Sequence, residues 1–200
     1  MLDFLTAGGP FMFLLVLTSL VALTFIIERG WALRWDQVIP PDLTEAVAQC
    51  RTMKDLPDLD LACEEYRSPL GRLLTVISRP DPTTREEVCD ALETRARQEV
   101  VRLERWLLVL EVVVGVAPLL GLLGTIHGLI TLFADLGSAT LENNAVLAKG
   151  ISFALNTTMA GLLISIPSLT AWSFYNRKVE TLAVEMETIC SELVHRLYRA

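Results

Sequence analysis

Three long apolar segments dominate this chain and restrict what it can fold into. They are Phe11–Ile27, 17 residues without a charge; Leu107–Phe133, 27 residues with Glu111 as the single charge; and Gly150–Tyr175, 26 residues without one. A helix needs roughly 20 residues at ~1.5 Å rise to cross a hydrocarbon core. Burying all three in a soluble core would require far more amphipathic chain than 200 residues supply. The segments therefore predict an all-α polytopic membrane protein with three transmembrane helices.

The first apolar segment is predicted to be retained rather than cleaved as a signal peptide. Residues 1–10 contain Asp3 and neither Lys nor Arg, and the segment runs into Glu28, Arg29 and Trp31. A secretory signal has a basic start and a small-residue cleavage site instead.

The positions of the cations predict the orientation. Twelve of the 17 Lys and Arg residues lie between the first and second spans, four follow the third, and only Lys149 lies in the 134–149 loop. Cytoplasmic segments carry such an excess. The predicted organisation is an outside N-terminus (1–10), spans at 11–27, 107–133 and 150–175, an outside loop (134–149), a cytoplasmic helical segment (28–106) and a cytoplasmic helical tail (176–200).

The second and third spans are predicted to continue as a long helical hairpin in the cytoplasm. Thr83 and Thr84, followed by Glu86 and Glu87, indicate a helix start, and no proline interrupts the chain before Pro118. The pairs Glu93–Arg97 and Arg95–Glu99 favour a solvated helix face. After the third span, apolar residues repeat at three-and-four spacing from Val179 to Leu197, which is typical of a helix that packs on other helices.

Several functional classes are disfavoured by composition and motifs. The net charge of −7 argues against a nucleic-acid partner. There is no P-loop, no nucleotide-binding glycine motif and no plausible catalytic triad, so we expect neither an enzyme nor a cofactor. Four cysteines lack C-x-x-C spacing, which disfavours a zinc site; they are predicted to be reduced packing residues. The four tryptophans lie near predicted cytoplasmic boundaries and are interpreted as anchors among membrane lipids.

Polar side chains form one stripe on each of the last two spans. At about 100° per residue, Pro118, Gly121 and Glu111 lie within about 40° of Thr125. On the third span, Ala154 and Ser165 share the face of Thr158. Hydroxyls at membrane depth are costly unless they are bonded. They therefore either serve a polar route or bond back to their own helix carbonyls, while the nearby glycines permit close helix packing.

Two sequence motifs resemble a known family. Residues 117–128 read A-P-L-L-G-L-L-G-T-I-H-G, similar to the A-P-L-L-G-L-L-G-T-V-x-G signature of the ExbB/TolQ/MotA proton-channel family, and especially its ExbB/TolQ branch. Residues 150–167 resemble that family's third-span pattern, G-I-S-x-A-L-x-T-T-x-x-G-L-x-x-x-I-P. Glu28–Arg29 and Leu33–Arg34 also fit, so the resemblance covers nearly the whole chain.

The resemblance implies a homopentamer in the bacterial inner membrane, with a periplasmic N-terminus and a cytoplasmic C-terminus. It would surround single-span ExbD/TolR-like partners that supply a membrane aspartate, and use the proton-motive force to drive a TonB- or TolA-like protein. By motif position, Thr125 and Thr158 correspond to hydroxyls that line the family's proton route. Phe153 stands where some members carry an acid. A non-conducting membrane scaffold is the alternative.

Three further polar residues in the spans allow more than one interpretation. His127 lies about 160° from Thr125 and is interpreted as a neutral imidazole bonded across a subunit contact, with a second protonatable site as the alternative. Glu111 either attracts cations to the inner mouth or pairs with an arginine of a neighbouring helix. Asn156 faces away from the Thr158 stripe and is expected to bond another helix.

Overall fold

The described chain is built from helices. The computed structural model describes residues 9–78, 84–136 and 144–198, and within them every regular element is helical. The order is α1 (Gly9–Ala32), α2 (Trp35–Val38), α3 (Pro41–Gln49), a 3-10 turn (Met53–Asp55), α4 (Leu56–Glu65), α5 (Pro69–Ser78), α6 (Arg85–Glu104), α7 (Leu107–Leu136) and α8 (Asn144–Leu197). The predicted all-α class is confirmed.

Among these residues, three helices are long and apolar enough to cross a membrane. The candidate spans are Pro10–Ala32, Leu107–Ala134 and the apolar first half of Gly150–Leu197. They lie in α1, α7 and α8, so the prediction of a polytopic protein with three spans is confirmed. The predicted 134–149 loop lies partly outside the described residues, as does most of the predicted N-terminus.

The chain divides into two compact units. The first comprises Met1–Glu28 and Trp106–Ser173 and holds the spanning parts of α1, α7 and α8. Its core is a buried cluster of Leu15 and Ala22 from α1 with Val113 and Ala117 from α7, against which Leu120, Ala160 and Ile164 pack. Phe25 and Trp106 stack with their ring centroids 5.7 Å apart. Helix α1 therefore covers one side of the α7–α8 pair.

The second unit comprises Arg29–Arg105 and Phe174–Ala200. Its core holds the predicted three-and-four stripe of α8, in which Val179, Leu182, Met186 and Leu193 are buried. Arg196 donates to the carbonyls of Val47, at 2.9 Å, and of Cys50, at 3.1 Å, where α3 ends. A cation there satisfies carbonyls that the helix leaves without an N–H donor.

The long helix predicted to lead into the second span starts as expected but is interrupted. The Thr84 hydroxyl accepts from the Glu87 N–H, and the Glu87 carboxylate accepts from the Thr84 N–H, forming a capping box. The helix then breaks at Arg105–Trp106. The buried Arg29 side chain donates to the Leu103 carbonyl at 3.2 Å. A donor inserted into the backbone ladder is a known cause of a break, so the expectation of one continuous helix is wrong at this point.

The predicted solvated face of α6 is also wrong in part. Arg97 and Glu93 pair in the open, but the Glu99 side chain is fully buried. Its two oxygens accept from Arg72 at 2.6 Å and from Arg102 at 2.8 Å, and Arg95 lies 3.6 Å away. Arg72 belongs to α5 and Glu99 to α6, so this ion pair joins the two helices. Three guanidinium groups compensate the negative charge of the buried carboxylate.

The cysteines make a simple test of burial in the second unit. Cys50, Cys63 and Cys190 are buried and Cys89 is exposed. Burial raises the pKa of both the Cys63 and the Cys190 thiol to about 12, so almost no reactive thiolate exists near neutral pH. We expect a thiol reagent to modify Cys89 alone in the folded protein and all four cysteines after denaturation, as counted by mass spectrometry. Labelling in a folded Cys89→Ser variant would contradict this packing.

Candidate functional site

The two predicted polar stripes pack directly against each other. Glycines make this possible: a Cβ on Gly121 would lie 2.9 Å from the Thr157 carbonyl oxygen, and one on Gly161 would lie 2.6 Å from the Ala117 carbonyl oxygen. These separations are too short for any side chain. Helices α7 and α8 therefore approach backbone to backbone, and the intervening hydroxyls can reach across the contact.

Thr125 and Thr158 form the centre of this contact. Their hydroxyl oxygens are hydrogen-bonded to each other. Thr125 Oγ1 also lies 3.2 Å from the Ala154 carbonyl oxygen and 3.0 Å from that of Gly121. Thr158 Oγ1 lies 3.2 Å from the Gly121 oxygen on the opposite helix. The hydroxyls thus bond across the helix pair, and the bond from Thr125 to its own helix is only one of several.

A second link follows from a proline. Pro118 lies inside α7 and has no N–H, so the Val114 carbonyl one turn earlier loses its helical donor. The Ser165 hydroxyl on α8 donates to that oxygen at 2.9 Å. Ser165 and Thr158 are seven residues apart, so this link lies about 10 Å along the helix from the threonine pair. Pro118 and Ser165 therefore belong to the same polar contact.

Thr157 also belongs to this contact, although it lies outside the predicted polar stripe of the third span. Its side chain is buried, and its hydroxyl lies 2.7 Å from the Ala154 carbonyl oxygen and 3.3 Å from that of Gly121. A Cβ on Gly124 would lie 2.8 Å from this hydroxyl oxygen. Thr157 lies about 100° from Thr158, outside a single stripe. Two adjacent threonines in one apolar span, with glycines repeated in the other, were the signal that could have identified it.

The threonine pair lies at the edge of the α7–α8 contact that α1 does not cover. Thr125 and Thr158 are half-buried. Beyond them the surface is exposed: Leu122 is 51% exposed, Leu155 59% and Leu162 47%. On the other side, α1 packs on Val113 and Ala117. The hydroxyls therefore lie beside a surface that is open in the single chain.

Two predicted residues lie away from this pair. Glu111 is exposed on α7, fourteen residues and about 21 Å along the helix from Thr125. His127 is exposed on the far side of α7, where its ring lies 5.5 Å from that of Phe11 on α1. The side chain of Phe153 is outside the described part of the structure.

The contact offers hydroxyl and carbonyl groups, which orient water or pass a proton but do not hold its charge near neutral pH. Throughout residues 9–78, 84–136 and 144–198, no three His, Cys, Asp or Glu side chains are placed to share a metal ion. An ionisable group must come from elsewhere if this contact is to move protons. Three helices long and apolar enough to span a membrane, two of them joined by a hydroxyl-rich contact, define a polytopic helical membrane protein.

Comparison with known proteins identifies the family. The model of the MotA/TolQ/ExbB proton channel family matches residues 65–188. The chain is 36% identical to the ExbB-like biopolymer transport protein 1 of Synechocystis sp., over 84% of this chain and 68% of that protein. It is 27% identical to the Tol-Pal system protein TolQ of Pseudomonas aeruginosa, over 94% and 86%. An ExbB homologue of Methanothermobacter thermautotrophicus is 26% identical over 94% and 67%.

The chain belongs to the MotA/TolQ/ExbB proton channel family, in its ExbB/TolQ branch. The resemblance of its two motifs to that family is confirmed. The chain is accordingly a membrane subunit of the proton-channel energiser type.

Proposed function

We propose that this chain forms a homopentamer in the bacterial inner membrane, with its N-terminus in the periplasm, its C-terminus in the cytoplasm and its threonine pairs facing a central lumen. The observation that carries the proposal is the position of Thr125 and Thr158, half-buried at the edge of the α7–α8 contact that α1 leaves uncovered. A ring of copies with α1 outermost would turn these edges inward. The hydroxyls would then line a proton route, along with Gly121, Pro118, Ala154 and Ser165.

The charge carrier in this proposal comes from a partner. Threonine hydroxyls do not ionise near neutral pH, and Glu111 lies about 21 Å away along α7. A single-span ExbD/TolR-like subunit inside the ring would supply a membrane aspartate. One elementary charge crossing 100 mV releases about 2.3 kcal/mol, enough to bias a conformational step. A TonB- or TolA-like protein would pass the motion on for outer-membrane transport or envelope maintenance, with no enzymatic step and no cofactor in this chain.

The remaining predicted residues have secondary places in this proposal. Glu111, exposed on α7, would attract cations at the inner mouth or pair with an arginine of another helix. His127 lies on the opposite side of α7 from the threonine pair, next to Phe11. That position disfavours a second protonatable site on the main route.

Removing the two hydroxyls tests conduction. We expect Thr125→Val and Thr158→Val each to reduce proton flux by at least about tenfold, equivalent to a barrier increase of ~1.4 kcal/mol. Valine keeps the shape but cannot bond the other hydroxyl or a water. The double variant should resemble the singles because the two hydroxyls act together. The measurement is dye-reported proton entry into proteoliposomes that contain the complex with its single-span partner, under an imposed potential.

The matched control is Thr18→Val. Thr18 donates to the Leu14 carbonyl at 2.8 Å within its own helix, so its loss should leave proton flux unchanged. Parental flux in the assembled double variant would contradict a route through the threonine pair. It would instead favour a non-conducting scaffold, for which the hydrogen bonds already made between α7 and α8 would serve only to hold the two helices together.

A further inference from the structure

We propose that His127 of one copy and Asn156 of the next copy are hydrogen-bonded at the contact between neighbouring subunits. This inference rests on the proposed ring of identical chains, and it specifies which faces of the spanning helices meet. It requires that both side chains lack a partner within their own chain, that they occupy different outward faces and that they lie at the same membrane depth. The described residues support each of these conditions.

Four threonine hydroxyls on the outer faces of the spans are bonded within their own helices. Thr18 donates to Leu14 and Thr24 to Leu20, each at 2.8 Å, and Thr131 donates to His127 and Thr170 to Ile166, each at 3.0 Å. In every case the acceptor is the backbone carbonyl four residues earlier. Such side chains need no neighbour at membrane depth. The imidazole of a histidine and the carboxamide of an asparagine do not normally use this arrangement.

His127 and Asn156 are two polar side chains of the spans that make no such bond. Within the part of the chain that the structure describes, neither side chain has a hydrogen-bond partner, and the ring contact of His127 with Phe11 satisfies neither ring nitrogen. His127 is exposed and Asn156 half-buried on spans that are otherwise apolar. Facing acyl chains would leave both without partners, which is costly. Each therefore requires a polar group from another molecule.

The two residues lie at nearly the same depth. Gly124 lies against Thr157, and Gly128 against Ala154, across the antiparallel α7–α8 contact. This register places Asn156 opposite residues 124–125 of α7. His127 is about three residues further along that helix, a difference in height of about 4–5 Å at 1.5 Å per residue. Two long polar side chains can span that difference.

The two residues also occupy different faces. Asn156 lies on the side of α8 away from α7, with Met159, 52% exposed, and Leu163, 63% exposed. His127 lies on α7 beside α1, next to Ile130, 62% exposed. In a ring whose axis lies along the membrane normal, each copy contacts the next at the same membrane depth. One face of the first copy meets a different face of the second copy. A second copy of this chain can therefore supply the missing partner to both residues.

Cysteine crosslinking in native membranes tests this contact. In a Cys89→Ser background, which removes the exposed native thiol, His127→Cys and Asn156→Cys are introduced together and treated with a short bis-methanethiosulfonate crosslinker. We expect a ladder of covalent oligomers up to the closed ring on a denaturing gel. Each single variant should remain monomeric, because the contact joins two different faces. A double variant that gives no ladder would overturn the pairing.

The matched control is a second cysteine pair on the same two helix faces, but with the two cysteines at different membrane depths. Leu163 shares the outward face of Asn156 but lies two turns away, so His127→Cys with Leu163→Cys differs in height by about 14–15 Å and should give no ladder. An equally strong ladder from this pair would also contradict the inference. The native mass of the extracted complex separates the two proposals: an intact ring without a ladder refutes only this contact, and a monomer refutes the ring itself.

Discussion

Gly161→Ala is expected to separate the two helices that form the candidate site. The new Cβ would lie 2.6 Å from the Ala117 carbonyl oxygen and 3.2 Å from the Gly121 Cα, and both are backbone atoms that no rotamer change can move. Forcing atoms into such a contact typically costs about 1–3 kcal/mol. We expect a lower thermal midpoint for the purified complex and a loss of proton flux, because Thr158 would move away from Thr125.

Gly115→Ala is the matched control for that variant. A Cβ at Gly115 would meet no atom within 4 Å in the described structure, so the substitution adds a methyl group to a spanning helix without a clash. Its thermal midpoint should equal or exceed that of the parent, since alanine is the better helix former. If Gly161→Ala proved as stable and as active as Gly115→Ala, the close approach of α7 and α8 would be incorrect.

Glu99→Gln is expected to destabilise the second unit strongly. The Glu99 carboxylate is fully buried, and Arg72, Arg95 and Arg102 all lie within 3.6 Å of its oxygens. A neutral amide removes the counter-charge of these guanidinium groups, which are a third to a half exposed, and losing a hydrogen bond between charged groups typically costs about 1.5–3 kcal/mol. Loss of helical circular dichroism with added denaturant measures the change in unfolding free energy.

Glu93→Gln provides the comparison. Glu93 pairs with Arg97 on the same helix, but both side chains are mostly exposed. Surface ion pairs of this kind typically contribute about 0–1 kcal/mol to the free energy of unfolding. A Glu99→Gln variant with the same unfolding profile as Glu93→Gln would show that the buried carboxylate does not hold α5 and α6 together.

The spans were predictable because the bilayer imposes a length and a composition on each one. The helix start at Thr84 was equally readable, since a capping box is a local signal. The break at Arg105–Trp106 was not, because the Arg29 side chain that bonds the Leu103 carbonyl beside it comes from 74 residues away in the sequence. The burial of Glu99 was hidden for the same reason: its position on α6 suggests a surface pair, and Arg72 comes from another helix.

The polar face of each helix in the candidate site was predictable from the sequence, but the contact between the two faces was not. Helical periodicity placed Thr125 with Gly121 and Thr158 with Ala154 and Ser165, but it could not show that these faces meet each other. The link from Ser165 to Val114 follows from the missing N–H of Pro118 only once the register of α7 and α8 is known. Thr157 was missed because a single stripe excludes a residue that lies 100° away.

The Gly121 carbonyl oxygen has three hydroxyl oxygens, those of Thr125, Thr157 and Thr158, within 3.3 Å. A carbonyl has two lone pairs, one of which serves the helix itself, so the three compete for limited acceptor capacity. Which of them donates can change by rotation of an O–H bond, with no backbone displacement. The hydrogen bond between Thr125 and Thr158 can therefore run in either direction. In the proposed proton route, this would let the pair return to its starting arrangement after each proton has passed.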